Sequence, residues 1–235
     1  MVRTYPTPEA VVAAAADLVA GVAHEAVTAR GRFLFCLAGG STPKALFALL
    51  RERDDIDWPK TWITWGDERP VPADHPDSNV GAARETLLNH VPVPEAQIMA
   101  PDGSLPPAET ARAYEQTLRG FFGDAPPRLD LVLLGLGPDA HTASLFPGTN
   151  ALHEAERWVV APYVEKLGTH RVTLTAPLIN RAHHVAFVAY GANKAEAFRQ
   201  VRAGPRDVNR YPAQLIDPTG GELHWLVDEA TAGEA

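Results

Sequence analysis

The sequence predicts an α/β fold, a mostly parallel sheet with helices on both faces. Three observations carry that expectation. Short apolar runs alternate with helical patterns along the whole chain. The run FLFCL, Phe33 to Leu37, is continuous and apolar, as a strand buried on both faces is. No internal repeat, low-complexity tract or linker interrupts the pattern, so residues 1–235 are expected to form one domain.

Each element has its own signal. Pro8 opens a helix expected to run to about Ala29, with Thr7 as its N-cap and Gly31 as its stop. Its apolar part, Ala10 to Val27, is flanked or interrupted by Glu9, Asp17, His24 and Glu25. It reads as an amphipathic surface helix and not as an export signal or a membrane span. After the strand at Phe33 to Leu37, a helix is predicted over Pro43 to Arg51 and a strand over Thr61 to Trp65. Asp67 to Asn79 is a polar, proline-rich loop, with His75 on its surface and Asp77-Ser78 capping a helix over Val80 to His90. A short strand is expected at Gln97 to Ala100, a helix at Pro107 to Phe122 and a strand at Leu129 to Leu134. Short strands at Trp158 to Ala161 and Arg171 to Thr175 lead to a core strand at His184 to Tyr190. A helix at Asn193 to Arg202 and a strand at Leu223 to Val227 close the pattern.

Composition narrows the partners. The 235 residues are 46% hydrophobic with a net charge of -8, which argues against general nucleic-acid binding while leaving room for a local cationic pocket. The one cysteine, Cys36, lies inside an apolar run and reads as core. A cytoplasmic location fits. No H-E-x-x-H, cysteine pair or D-x-D-x-D-G loop is present, and the adjacent His183-His184 should point to opposite faces, so no metal site is expected.

In parallel sheets ligands bind beyond the carboxyl ends of the strands, which singles out three loops. In AGGSTPKAL, Gly39 and Gly40 let backbone approach a ligand, and Ser41 and Thr42 open a helix whose free N–H groups suit an anion. A well-capped turn explains the same residues, and both readings stand. In WGDERPVPADHPDSNVG, Arg69 can grip a phosphate or carboxylate, and Asp67 can orient Arg69, a histidine or a sugar hydroxyl. In LLGLGPDAHTASLFPG, His141 follows a core strand closely and can take a proton from water. Ser144 lacks the nucleophile elbow of a serine hydrolase.

Together these loops resemble the signatures of the 6-phosphogluconolactonase family, in the same order. RVTLTAPLIN, GANKAEAF and PAQLI followed by HWLVD are also similar to that family. The resemblance implies a Rossmann-like α/β fold shared with glucosamine-6-phosphate deaminase and ribose-5-phosphate isomerase. It implies hydrolysis of 6-phospho-D-glucono-1,5-lactone to 6-phospho-D-gluconate, the second step of the oxidative pentose phosphate pathway, with no cofactor or metal. It places the family's phosphate turn on Gly39, Gly40, Ser41 and Thr42, its arginine on Arg69, its histidine on His141 and its lysine on Lys194. The turn, Arg69 and Lys194 then hold the substrate phosphate, and His141 and Arg69 serve catalysis. Asp67 is a further catalytic candidate, to orient His141 or bind a sugar hydroxyl. The chain departs from the family at Ala140, where the residue before the histidine is usually glycine. Alanine there costs about 1 kcal/mol if that position is left-handed. A sugar-phosphate deaminase or isomerase on the same fold is the nearest alternative, but D-E-R differs from the D-E-Y expected by similarity to the deaminases, and the T-A-S after the histidine differs from their I-A-F. A non-catalytic sugar-phosphate sensor is another.

Overall fold

A computed structural model describes residues 1–233, with every side chain among them except that of Ser41. β1 (Val2–Tyr5) leads into α1 (Pro8–Arg30). The Thr7 hydroxyl accepts from the Ala10 N–H at 3.2 Å, and Gly31, at φ 73°, closes the helix in the left-handed region. β2 (Phe33–Leu37), α2 (Ser41–Leu50), β3 (Thr61–Trp65), the two-residue β4 (Asp67–Glu68) and α3 (Asn79–Thr86) follow. α4 (Pro107–Phe122) crosses to β5 (Leu131–Leu134). Next come β6 (Val159–Val160), β7 (Tyr163–Val164), β8 (Thr169–His170), β9 (Val172–Leu174) and α5 (Ala176–Ile179). β10 (His184–Ala189), α6 (Ala195–Ala203), β11 (Glu222–Asp228) and α7 (Glu229–Ala232) complete the described chain.

The main sheet has the order β1-β11-β10-β5-β2-β3, with every pairing parallel. Its central strands are buried at every position, so successive residues feed two different cores. Phe33, Phe35, Leu37, Leu131 and Leu133 pack against α1, α2 and α3. Leu34, Cys36, Val132, Leu134 and Phe187 pack against α4, α6 and a small antiparallel sheet of order β4-β9-β6. α1 is long and apolar enough to cross a membrane by length and composition alone. Here its stripe of Val11, Val12, Ala15, Val19 and Ala23 is buried in the core on the sheet.

Several elements differ from the sequence-based expectation. The helix expected to reach His90 stops at Thr86, and Leu88–His90 is a 3₁₀ turn. The strand expected at Gln97 to Ala100 is reduced to one bridge, Ile98 to Ile63. That stretch still finishes the outer edge of β3. The Gln97 side chain donates to the Thr61 carbonyl at 2.7 Å, and the Met99 N–H donates to the Ile63 carbonyl at 2.9 Å. Tyr114 of α4 completes the edge. Its hydroxyl accepts from the Trp65 N–H and donates to the Trp65 carbonyl, each at 2.8 Å. β1 and the β7–β8 hairpin carried no apolar run, because both are partly exposed and gain their backbone partners from neighbouring strands.

Glu68, expected in a loop, is buried in β4 beside Val172 of β9. Its carboxylate accepts from the N–H groups of Arg69, Asn79 and Val80 at 2.7–2.8 Å and from the Ser78 hydroxyl at 3.0 Å. It therefore fastens the start of α3 to the end of β4, and Ser78 adds the N-cap by accepting from Gly81. Burial pushes the Glu68 carboxyl up, against the pull of those four donors. Glu68→Ala strands three N–H groups and should lower stability by about 3 kcal/mol in denaturant unfolding, with Glu68→Gln costing less.

Candidate active site

From β2 the chain moves to β3 on one side, whereas from β5 it moves to β10 on the other. The loops leaving β2 and β5 part at that point, and such a switch opens a crevice at the carboxyl ends of the strands. A cavity of about 430 Å³ lies there. It is lined by residues from all three loops singled out above, together with Lys166, Arg171 and Lys194.

The first loop brings Gly39, Gly40 and Thr42 to the cavity. A Cβ on Gly39 would run into the Asn79 carboxamide, so glycine lets the loop lie close on α3 without displacing that side chain. Gly40, at φ 101°, is the N-cap of α2 and has no side chain with which to satisfy the first-turn N–H groups. Ser41 opens α2; its side chain lies outside what is described.

From the second loop, Asp67 and Arg69 both line the cavity. The Asp67 carboxylate accepts from the Ser144 hydroxyl at 2.6 Å and from the Asn79 side chain at 3.3 Å. It thereby ties the second loop to the third. Arg69 is half-buried and donates to the Asp77 carbonyl. Arg171, at the start of the strand segment RVTLT, also faces this end of the cavity. Burial, then the neighbouring Arg69 charge, lower the proton affinity of its guanidinium. Two guanidiniums lining one cavity make a place for an anion.

The third loop holds His141 against glycine. A Cβ on Gly137 would occupy the position of the imidazole. The ring also stacks on Phe146, with centroids 4.0 Å apart. The His141 Nδ1–H donates to the Asp139 carboxylate, whose other oxygen accepts from Lys166 at 2.7 Å. Lys166 comes from the turn between β7 and β8. Burial works to raise the Asp139 carboxyl, but the hydrogen bonds from His141 and Lys166 outweigh it and hold the group well below the usual carboxylate range. The partner of His141 is thus Asp139, two residues away, and Asp67 is held by Ser144 and Asn79 instead. Lys194 donates to the Leu136 carbonyl at the root of the same loop. Burial lowers its proton affinity, with the Asp139 charge acting in the opposite direction.

Sequence reasoning singled out His141, Arg69, Lys194 and the glycine turn, and all line one cavity. It passed over Asp139, Lys166 and Arg171. An aspartate two residues before a histidine, in GPDAH, was a usable signal for the first. No local signal marked Lys166.

Residues 6–225 match the family described as glucosamine-6-phosphate isomerases/6-phosphogluconolactonase. The chain belongs to that family. A 6-phosphogluconolactonase from Nostoc sp. is 44% identical over 99% of this chain and 97% of its own length. One from Rattus norvegicus is 38% identical over 99% and 92%. The solved 6-phosphogluconolactonase from Trypanosoma cruzi superposes with a TM-score of 0.88 at 28% identity, covering 99% of this chain and 95% of that one. A monomeric glucosamine-6-phosphate deaminase shares the fold, with a TM-score of 0.83 at 20% identity over 100% of this chain and 99% of that one.

Within this family fold, Ala140 and Ala143 both have positive φ, 59° and 45°. The turn is held by the Gly137 N–H donating to the His141 carbonyl at 2.8 Å and the Ala140 N–H donating to Gly137 at 2.9 Å. Ala140 also accepts from Ala213 at 2.9 Å, and its methyl is buried. Ala140→Gly relieves about 1 kcal/mol of strain but removes a buried methyl worth about 0.8 kcal/mol. Its unfolding midpoint should stay near that of the parent. Ala140→Val, β-branched in the left-handed region, should lower stability by about 2 kcal/mol or more.

The Asp139 pair also predicts an acid dependence. A depressed carboxyl contributes stability above its unfolded pKa of about 3.9, and that contribution is lost as pH falls towards the folded value. Asp139→Asn should therefore be less stable than the parent at neutral pH, and the gap should narrow as thermal melts are taken below about pH 4.

Proposed function

We propose that the chain is a 6-phosphogluconolactonase, hydrolysing 6-phospho-D-glucono-1,5-lactone to 6-phospho-D-gluconate in the oxidative pentose phosphate pathway. The observation that carries this reading is the chain Lys166–Asp139–His141 in a cavity that two arginines, Arg69 and Arg171, also line. With Nδ1–H committed to Asp139, the free nitrogen of this cavity-lining ring is Nε2, a base.

The substrate phosphate docks on the Gly39, Gly40, Ser41 and Thr42 turn at the start of α2, with Arg69 and Arg171 neutralising its charge. Lys194 supplies a further cationic hydrogen bond. Anchoring the phosphate fixes C1 of the ring near His141. His141 Nε2 takes a proton from water as the oxygen attacks the lactone carbonyl. Asp139 stabilises the imidazolium that forms, and Lys166 keeps Asp139 ionised and in place. The tetrahedral oxyanion collapses, the bond from C1 to the ring oxygen breaks, and His141 returns the proton to that oxygen. Asp67 holds Ser144 and with it the backbone of the third loop, where N–H groups can meet the oxyanion. No covalent nucleophile is needed, since a lactone is already a reactive ester.

The test is a coupled assay in which glucose-6-phosphate dehydrogenase makes the lactone in place and 6-phosphogluconate formation is followed above the spontaneous rate. His141→Ala should lower kcat by about 10²–10⁴-fold with KM little changed. Arg69→Ala and Arg171→Ala should each raise KM about tenfold or more while leaving kcat within a few-fold. Acceleration retained in His141→Ala would reject the general-base role. Release of ammonia from glucosamine 6-phosphate, with no lactone hydrolysis, would reject the reading altogether.

A further inference from the structure

A second group of titratable side chains lies at the other end of the sheet. His184 opens β10, and Glu222 and His224 lie on the neighbouring β11. The parallel register pairs His184 with Glu222 and Ala186 with His224, so all three side chains share the face covered by α1. His184 Nδ1 lies 3.2 Å from His224 Nε2. His224 Nε2 lies 3.5 Å from Glu222 Oε2, and the potential ligand atoms of the three residues all fall within 4.8 Å of one another. Both histidines are buried, whereas Glu222 reaches solvent.

We propose that His184, His224 and Glu222 form a binding site for a divalent metal ion of the zinc class. The spacing supports it. A tetrahedral zinc with ligands at about 2.0–2.1 Å sets those ligands about 3.3 Å apart, close to the two separations found here. Two imidazoles and one carboxylate suit zinc or nickel better than calcium or magnesium, which favour all-oxygen shells. Water fills the fourth position from the Glu222 side. An outer partner is also present: Glu25 of α1 lies 3.4 Å from His184 Nε2. A carboxylate on that nitrogen fixes the tautomer and leaves the Nδ1 lone pair for the metal.

The ion is remote from the lactone cavity. Five residue steps along β10 lead from His184 to Ala189 at the cavity end, about 17 Å of strand. Its role is therefore to clasp β10, β11 and α1 together. The competing account is a plain hydrogen bond between the two imidazoles, which needs no metal and gives Glu222 no part.

Isothermal titration of the chelator-treated full chain with zinc chloride separates the two. The site predicts one tight equivalent per chain, a zinc-dependent rise in Tm, and intense visible bands when cobalt(II) is used in place of zinc. Binding should persist in His141→Ala, weaken at least about tenfold in Glu222→Gln and in Glu25→Gln, and vanish in His224→Gln. If His224→Gln does not fold, the exposed Glu222→Gln decides alone. Absence of saturable binding, binding unchanged in Glu222→Gln, or binding lost only in His141→Ala would each overturn the proposal.

Discussion

Helices and a small second sheet cover both faces of the main sheet, and that constraint decides where every reactive group can sit. A charged side chain in the middle of β2, β5 or β10 would be buried without water on either side. The central strands accordingly carry apolar residues, with His184 at the amino end of β10, while charge gathers in the loops beyond their ends. At the carboxyl ends the switch between β2 and β5 forces the loops apart and supplies room for a ligand. At the amino ends the same burial leaves His184 and His224 facing each other under α1.

The loop after β5 concentrates cost and function in the same few residues. Two alanines hold left-handed backbone that favours glycine, and the turn is kept by hydrogen bonds that bracket it from both sides. The return on that strain is geometric. His141 lies flat between Gly137 and Phe146 with one nitrogen committed to Asp139, so the ring has little freedom to leave its orientation. Lys166 arrives from a hairpin remote in sequence and neutralises the carboxylate that would otherwise repel an anionic substrate.

Much of this was legible in the residues. Continuous apolar runs located the central strands, and Pro8, Thr7 and Gly31 marked both ends of α1, because these signals act within a few residues of the element they define. The three polar loops were legible for the same reason, and topology brings them together. What escaped depends on contacts distant in sequence. Nothing near Asp67 says that its carboxylate is taken by Ser144, and nothing near Lys166 says that it reaches Asp139. The adjacent His183 and His184 suggested no joint site. The partner of His184 comes from the next strand, which only the register reveals. Ala140 is the instructive residue: the turn keeps the left-handed shape that glycine would favour and bears the strain in a side chain of one carbon.

The finishing of β3 by Gln97, Met99 and Tyr114 has a consequence for how this molecule meets others. An open sheet ends in strands whose outward N–H and C=O groups can recruit a strand from another chain, the first step towards domain exchange or fibrous aggregates. On β3 the outward carbonyls of Thr61, Ile63 and Trp65 are already engaged, as is the Trp65 N–H. The tyrosine hydroxyl does part of this with a side chain that cannot itself extend a ladder. The β3 border of the sheet is thus sealed against strand addition by residues of its own chain.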